Sequence, residues 1–180
     1  MREHEFEVLL VGDSQVGKSS LVERNNVFIE SSYFPTLGVD FVVKRLALGE
    51  DKVSLKIWDA SGDERFQYLL RAYNERADAL VVCFDINRRE SFDHLDTWLE
   101  RSPRRGRPLF FVGTKSDRPR AVSHEEIANA AGVHGAVYME TSSKTGVNVH
   151  QVPLLIARTL LNRVPKPREP PLPQSPCCFQ

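Results

Sequence analysis

The sequence predicts an α/β fold: a six-stranded, mostly parallel, doubly wound sheet with one antiparallel hairpin and helices on both faces. Three observations carry that expectation. Ala79–Asp85 and residues 109–113 are short continuous apolar runs, the pattern of parallel strands buried on both faces. Val39–Leu48 and residues 53–59 are strand-like and are joined by Gly49-Glu50-Asp51, a hairpin signal. Along the rest of the chain, apolar runs alternate with segments of helical spacing.

Taken in order, residues 8–12 end a first strand, and a glycine-containing turn leads into a helix near residues 18–24. In the second hairpin strand Val53, Leu55 and Ile57 share one face and Ser54, Lys56 and Trp58 the other, so Trp58 is expected to be exposed on a mostly polar face. Phe92, Leu95 and Leu99 recur at helical spacing behind Ser91, the expected N-cap. Arg101, Arg104, Arg105 and Arg107 read as a solvated basic loop. Ser123 and Glu126 form a capping box before Ile127. Residues 136–139 read as the last strand. Asn148 is placed to cap a final helix carrying Val152, Ile156 and Leu160, with Pro153 straining or shortening its start. Six of the eleven prolines fall within residues 165–176, a composition for an extended, disordered tail. The chain thus divides into a folded domain, residues 1–164, and a tail, residues 165–180.

The 180 residues suit one domain plus that tail, and 24 basic against 24 acidic residues remove the electrostatic case for a nucleic-acid binder. No apolar stretch is long enough to span a bilayer, and the charged residues 1–7 are no secretory signal. Cys83 sits alone in an apolar run as a packing thiol, while Cys177 and Cys178 adjoin one another near the C-terminus without metal-ligand or disulfide-framework spacing. These features predict a reducing, cytosolic setting unless a lipid changes the membrane assignment.

Gly12-Asp13-Ser14-Gln15-Val16-Gly17-Lys18-Ser19 matches the P-loop pattern. A glycine-permitted loop feeding a helix N-terminus converges its amides on phosphate oxygens, so Asp13, Ser14, Gln15, Val16, Gly17, Lys18, Ser19 and Ser20 are the candidate phosphate-binding residues. Lys18 neutralises the β- and γ-phosphates and the Ser19 hydroxyl ligates magnesium. This motif alone does not separate ATP from GTP.

Thr114-Lys115-Ser116-Asp117 resembles the Asn-Lys-x-Asp guanine motif of Ras-like GTPases. A carboxylate at Asp117 accepts from guanine N1 and the exocyclic amine, a donor pair that adenine lacks, and such a site rejects the analogue by roughly 10⁴-fold or more. The Lys115 stem is expected along the base. Thr114 replaces the usual Asn, which weakens a loop-bracing contact. Ser142-Ser143-Lys144 resembles the Ser-Ala-Lys motif, whose middle amide meets the guanine oxygen.

Tyr33-Phe34-Pro35-Thr36-Leu37-Gly38-Val39-Asp40-Phe41 is similar to switch I of Rab proteins, and Trp58-Asp59-Ala60-Ser61-Gly62-Asp63-Glu64-Arg65-Phe66 to their switch II. Over roughly residues 5–162 and the terminal cysteines, the chain resembles the Rab branch of the Ras superfamily and its three-layer P-loop GTPase fold. The resemblance implies a guanine-nucleotide switch in vesicle traffic with GTP or GDP and magnesium as cofactors. Thr36 then reaches magnesium only when the γ-phosphate is present, Asp59 holds magnesium through water, and the Gly62 amide senses the γ-phosphate. The 19–36 segment is one residue short, which leaves Phe28 as the nearest aromatic to cover guanine. Phe41, Trp58 and Tyr73 match the aromatic triad presented to effectors. Lys18, Thr36 and residue 63 are the catalytic positions.

Position 63 carries Asp where the family has the Gln that orients the attacking water. A carboxylate about 4 Å from a phosphate charge, at an effective dielectric of about 20, repels it by roughly 4 kcal/mol before magnesium screens it. Slow hydrolysis is the expectation, and a non-hydrolysing GTP-held module is the alternative. Cys177-Cys178-Phe179-Gln180 resembles the double-cysteine ends that receive two geranylgeranyl groups, and also fits a Cys-a-a-X farnesylation box. The implied partners are effectors, an exchange factor, a GTPase-activating protein, a GDP dissociation inhibitor and the prenylation machinery. The protein is expected as a monomer, lipid-anchored at the cytoplasmic face of intracellular membranes with a cytosolic pool.

Overall fold

The computed structural model describes residues 2–24, 39–60 and 67–164. Among them the elements run β1 Arg2–Val11, α1 Lys18–Arg24, β2 Val39–Leu48, β3 Asp51–Ala60, α2 Gln67–Arg76, β4 Ala79–Asp85, α3 Arg89–Asp93, α4 Leu95–Arg101, β5 Leu109–Thr114, α5 His124–His134, β6 Val137–Glu140 and α6 Gln151–Leu161. The strands form one six-stranded sheet in the order β2-β3-β1-β4-β5-β6. Only β2 and β3 pair antiparallel among the described residues; the β1–β3, β1–β4, β4–β5 and β5–β6 pairs are parallel.

Alternation along each strand divides the core in two. Val8, Leu10, Val81 and Val112 meet Leu21 of α1 and Val152, Ile156 and Leu160 of α6. Leu9, Val11, Val82 and Phe111 meet Leu70 of α2, Trp98 of α4 and Ile127 of α5. Burial on both faces explains why β4 and β5 read as unbroken apolar runs, with Cys83 buried among them. The strand order reverses between β1 and β4, so the loops after β1 and β4 open at one sheet edge, where open α/β sheets hold ligands.

The capping box forms as expected: Ser123 Oγ accepts from the Glu126 amide at 3.2 Å, and the Ser123 amide donates to Glu126 Oε2 at 3.0 Å. Other expectations are corrected. Ser91 lies inside α3, whose N-cap is Arg88. Its hydroxyl instead accepts from the Asp85 amide at 3.0 Å and closes the β4–α3 connection. The helix expected through Phe92, Leu95 and Leu99 is interrupted at His94. Asn148 adopts a left-handed φ of 56° and donates from Nδ2 to the Glu140 carbonyl at 2.9 Å rather than capping α6. Helix α6 begins at Gln151, which puts Pro153 in the first turn, where an amide has no intrahelical partner to lose. Helix α2 occupies a stretch for which the sequence supplied no expectation.

The basic loop is not wholly solvated. Arg107 is only 8% exposed and donates to the carbonyls of Asn74 at 2.5 Å, Ala77 at 3.1 Å and Pro103 at 3.2 Å. Its Nη2 also reaches the Asn74 side-chain carbonyl. Burial pulls its pKa down to about 10, still charged at neutral pH. It therefore satisfies the Asn74 carbonyl in the last turn of α2, which has no intrahelical donor, and the Ala77 carbonyl just beyond the helix. Arg107→Ala strands these acceptors and is expected to cost about 3 kcal/mol, lowering the melting temperature by roughly 6–12 °C. Thermal circular dichroism checks this, with the exposed Arg105→Ala expected to melt as wild type.

Candidate functional site

The loop expected to hold phosphate leaves β1 at Gly12, whose φ of 141° and packing admit no side chain: an added Cβ would stand 2.1 Å from the Cys83 carbonyl oxygen. Gln15 takes a left-handed φ of 63°, and its carbonyl is held by Lys115 Nζ at 2.8 Å. Lys18, 6% exposed at the start of α1, donates from Nζ to the Gly12 and Asp13 carbonyls, both at 2.7 Å. Burial lowers its pKa, and the Asp59 charge opposes that shift. An ammonium held inside a glycine-bearing loop at a helix start is suited to neutralising phosphate charge.

Asp59, at the end of β3, meets α1 across the site. Ser19 Oγ donates to its Oδ2 at 2.5 Å. Its Oδ1 is buried without a hydrogen-bond partner, and burial raises its pKa. A hydroxyl and a carboxylate with an unsatisfied oxygen are hard donors of the kind magnesium takes alongside phosphate oxygens, so these residues fit that ion.

The loop expected to hold the base follows β5. The Thr114 hydroxyl lies between the Val16 carbonyl and the Phe84 carbonyl, the latter at 3.0 Å, and donates to one of them at a time. The contact expected to weaken with Thr in place of Asn is thus made by the shorter side chain. Lys115, at φ 58°, places Nζ 2.7 Å from Asp85 Oδ2 as well as on the Gln15 carbonyl. Asp117 is exposed, and its Oδ1 accepts from Ser142 Oγ at 2.6 Å. That hydrogen bond holds its carboxyl below the usual range. Ser142 is buried and also accepts the Thr145 amide at 3.1 Å; the Ser116 amide donates to the Thr141 carbonyl at 3.0 Å. The 114–117 and 141–145 loops therefore form one frame, with Ser143 and Lys144 on its rim.

The P-loop's Asp13 carboxylate turns away from the loop. It accepts from the Trp98 indole at 2.8 Å, and its Oδ2 lies 2.9 Å from His94 Nδ1 and 3.6 Å from the Arg88 guanidinium. Sequence reasoning missed Asp85, Arg88, His94 and Trp98. No local pattern marks them, because His94 and Trp98 stand 81 and 85 residues from their partner.

On the opposite side of β3, the rings of Phe41, Trp58 and Tyr73 form a row, with centroids 5.2 Å and 4.5 Å apart. Phe41 is 48% exposed, and Lys56 Nζ lies over the Phe41 and Trp58 rings at 4.6 Å and 4.2 Å. Trp58 is not exposed as expected. It is 8% exposed because Phe41 and Tyr73 flank it and its indole donates to Glu7 Oε2 at 2.9 Å.

Phe28, Thr36, Gly62, Asp63, Cys177 and Cys178 lie outside the described residues. Among the described residues, no helix is long and apolar enough to cross a membrane.

With this geometry in place, comparison with known proteins is specific. The Ras family model matches residues 7–162. The chain is 43% identical over 155 residues to the Ras-related protein RABC1 of Arabidopsis thaliana, covering 81% of this chain and 72% of that protein. It is 38% identical over 173 residues to Rab-26 of Bos taurus, covering 92% and 68% of the two chains. To Rab-19 of Xenopus laevis it is 36% identical over 166 residues, covering 88% and 78%.

Proposed function

The chain belongs to the Rab branch of the Ras family of small GTPases, and from that premise we propose that it is a magnesium-dependent GTP/GDP switch that recruits effectors in membrane traffic and hydrolyses GTP slowly. One observation carries the nucleotide assignment. The lysine-bearing loop and the carboxylate of Asp117 share one sheet edge, and Thr114 and Lys115 tie the two loops together.

Each residue has a definable task. The Lys18 ammonium offsets phosphate charge, and the loop amides from Asp13 to Ser20 orient the phosphates. Ser19 and Asp59, with Thr36 in the GTP state, hold the magnesium ion, which supplies charge neutralisation on the phosphate oxygens. Asp117 selects guanine, Lys115 lines the base, and the Ser143 amide meets the guanine oxygen beside Lys144. Phe28 covers the base and Gly62 senses the terminal phosphate. Phe41, Trp58 and Tyr73 are the effector anchors, with Phe41 offering the exposed ring and Trp58 backing it. Cys177 and Cys178 carry the prenyl groups, two chains giving firm anchoring where one gives marginal anchoring. Exchange, activating, GDP-dissociation-inhibiting and prenylating partners follow from the family.

The slow step rests on Asp63, which replaces the water-orienting Gln. Single-turnover GTP hydrolysis is expected to be about a hundredfold faster in Asp63→Gln than in the wild type, the scale of one hydrogen bond made in the transition state. Equal rates in the two proteins would remove the argument. The same residue favours a second reading, a GTP-held interaction module that never turns over. GTP as the co-purifying nucleotide, with no measurable hydrolysis, would select it.

A further inference from the structure

Three side chains, from the β4–α3 connection (Arg88), the α3–α4 junction (His94) and helix α4 (Trp98), converge on the first half of the P-loop. His94 and Trp98 hold the Asp13 carboxylate at 2.9 Å and 2.8 Å. Arg88 donates from Nη2 to the Ser14 carbonyl at 3.1 Å and stands 3.6 Å from Asp13 Oδ2. Together they line a groove of about 530 Å³ beside the loop. The arrangement poses an electrostatic problem. A loop built to bind polyphosphate carries a carboxylate at its second residue, with a side chain 17% exposed. The indole is a neutral donor and cannot cancel that charge, and the His94 imidazole offsets it only when protonated, which leaves Arg88 as the permanent cation facing the carboxylate.

We propose that Arg88 is the counter-charge that lets this P-loop carry Asp13, and that it thereby sets the preference for the triphosphate over the diphosphate. The guanidinium bridges the carboxylate and the adjacent Ser14 carbonyl, so its position is fixed by two P-loop residues. Both charges lie beside the phosphate-binding ammonium, since Lys18 Nζ donates to the Asp13 carbonyl at 2.7 Å and Arg88 donates to the next carbonyl, that of Ser14. Lys18 serves the β- and γ-phosphates. Without Arg88, the field of Asp13 falls on that end of the nucleotide, and GTP, with one phosphate more than GDP, is penalised harder. Arg88 acts through Asp13 and Ser14, which makes it a positioning residue.

The inference rests on the P-loop being the phosphate site, and one experiment separates the two. Dissociation constants for fluorescent GTP and GDP analogues are measured on the full chain for wild type, Arg88→Ala, Arg88→Lys, Asp13→Asn/Arg88→Ala and Arg89→Ala. With a half-buried unit charge partly screened, Arg88→Ala is expected to weaken GTP about tenfold and GDP about threefold or less. Arg88→Lys keeps the charge and should hold the wild-type ratio. The double variant removes the carboxylate charge and should return GTP binding to within about threefold of wild type. Arg89, which pairs with Asp93 and Glu126 away from the loop, should leave the ratio unchanged when replaced. Equal losses for both nucleotides, no rescue in the double variant, or the same ratio change in Arg89→Ala would overturn the proposal. Wild-type protein that binds neither analogue would overturn it together with the P-loop assignment.

Discussion

Replacing Asp117 with alanine is expected to lower GTP affinity by about a hundredfold to a thousandfold and to abolish the preference for GTP over ATP. The side chain sits at the rim of the loop after β5, where one hydrogen bond from Ser142 fixes Oδ1 at 2.6 Å. An ionised carboxylate has about four acceptor positions, so that bond leaves capacity for the two neighbouring donors of guanine. Charge-assisted hydrogen bonds of this kind are the strong ones. Ser142 also keeps the group ionised, because its hydrogen bond holds the pKa below the normal carboxylate value. A depressed pKa means that the charged form persists through the neutral range and is lost only as pH falls through the folded-state value. Guanine affinity should accordingly show no Asp117-linked change between about pH 5 and 8. Competition between ATP and GTP, followed by fluorescence, measures the effect. A variant that still prefers GTP would place base selection elsewhere.

Gly12→Ala is the second large effect. The new Cβ would stand 2.1 Å from the Cys83 carbonyl oxygen, a main-chain atom of β4. No side-chain rotation relieves a clash with a strand in the middle of the sheet, where Val11 pairs with Val82. The φ of 141° is also a conformation that residues with a Cβ rarely adopt. We expect more than about 4 kcal/mol of destabilisation, a fall of roughly 8–16 °C in melting temperature, and loss of nucleotide binding. Gly49 at the β2–β3 turn is the control. It has a φ of 63° but nothing within 4 Å, so its alanine variant should cost only about 1–2 kcal/mol. A Gly12→Ala protein melting within about 3 °C of wild type would show that β1 and β4 can separate at little cost.

Much of this molecule was legible before its structure. Strands buried on both faces announce themselves as β4 and β5 do, by uninterrupted apolar runs, and the β2–β3 hairpin by its Gly49 turn. The strand-to-helix turn of the P-loop motif was legible because its residues are contiguous: loop, lysine and serine lie between β1 and the start of α1. The motifs at 114–117 and 142–144 were legible by resemblance, and each does lie at the end of a strand. The failures also have a pattern. Trp58 departs from its expected exposure because alternation along one strand describes a face but not what covers it; Tyr73, from α2, covers it. Arg107 departs from the solvated loop expected for it because a run of basic residues says nothing about which one finds buried carbonyls. Asn148 and Ser91 had the composition of caps, but each found a non-local or loop partner instead.

By itself, then, the sequence determined the order of the strands, the P-loop motif and the family, since these depend on residue types within a few positions of one another. Tertiary structure alone decided how the loops are braced. Thr114 reaches Val16 across 98 residues, Lys115 reaches Gln15 across 100, and Trp98 reaches Asp13 across 85. Contacts at such separations arise from strand order and register, which bring the ends of β1, β4 and β5 to one edge. The side chains that meet there carry no local pattern that would announce it.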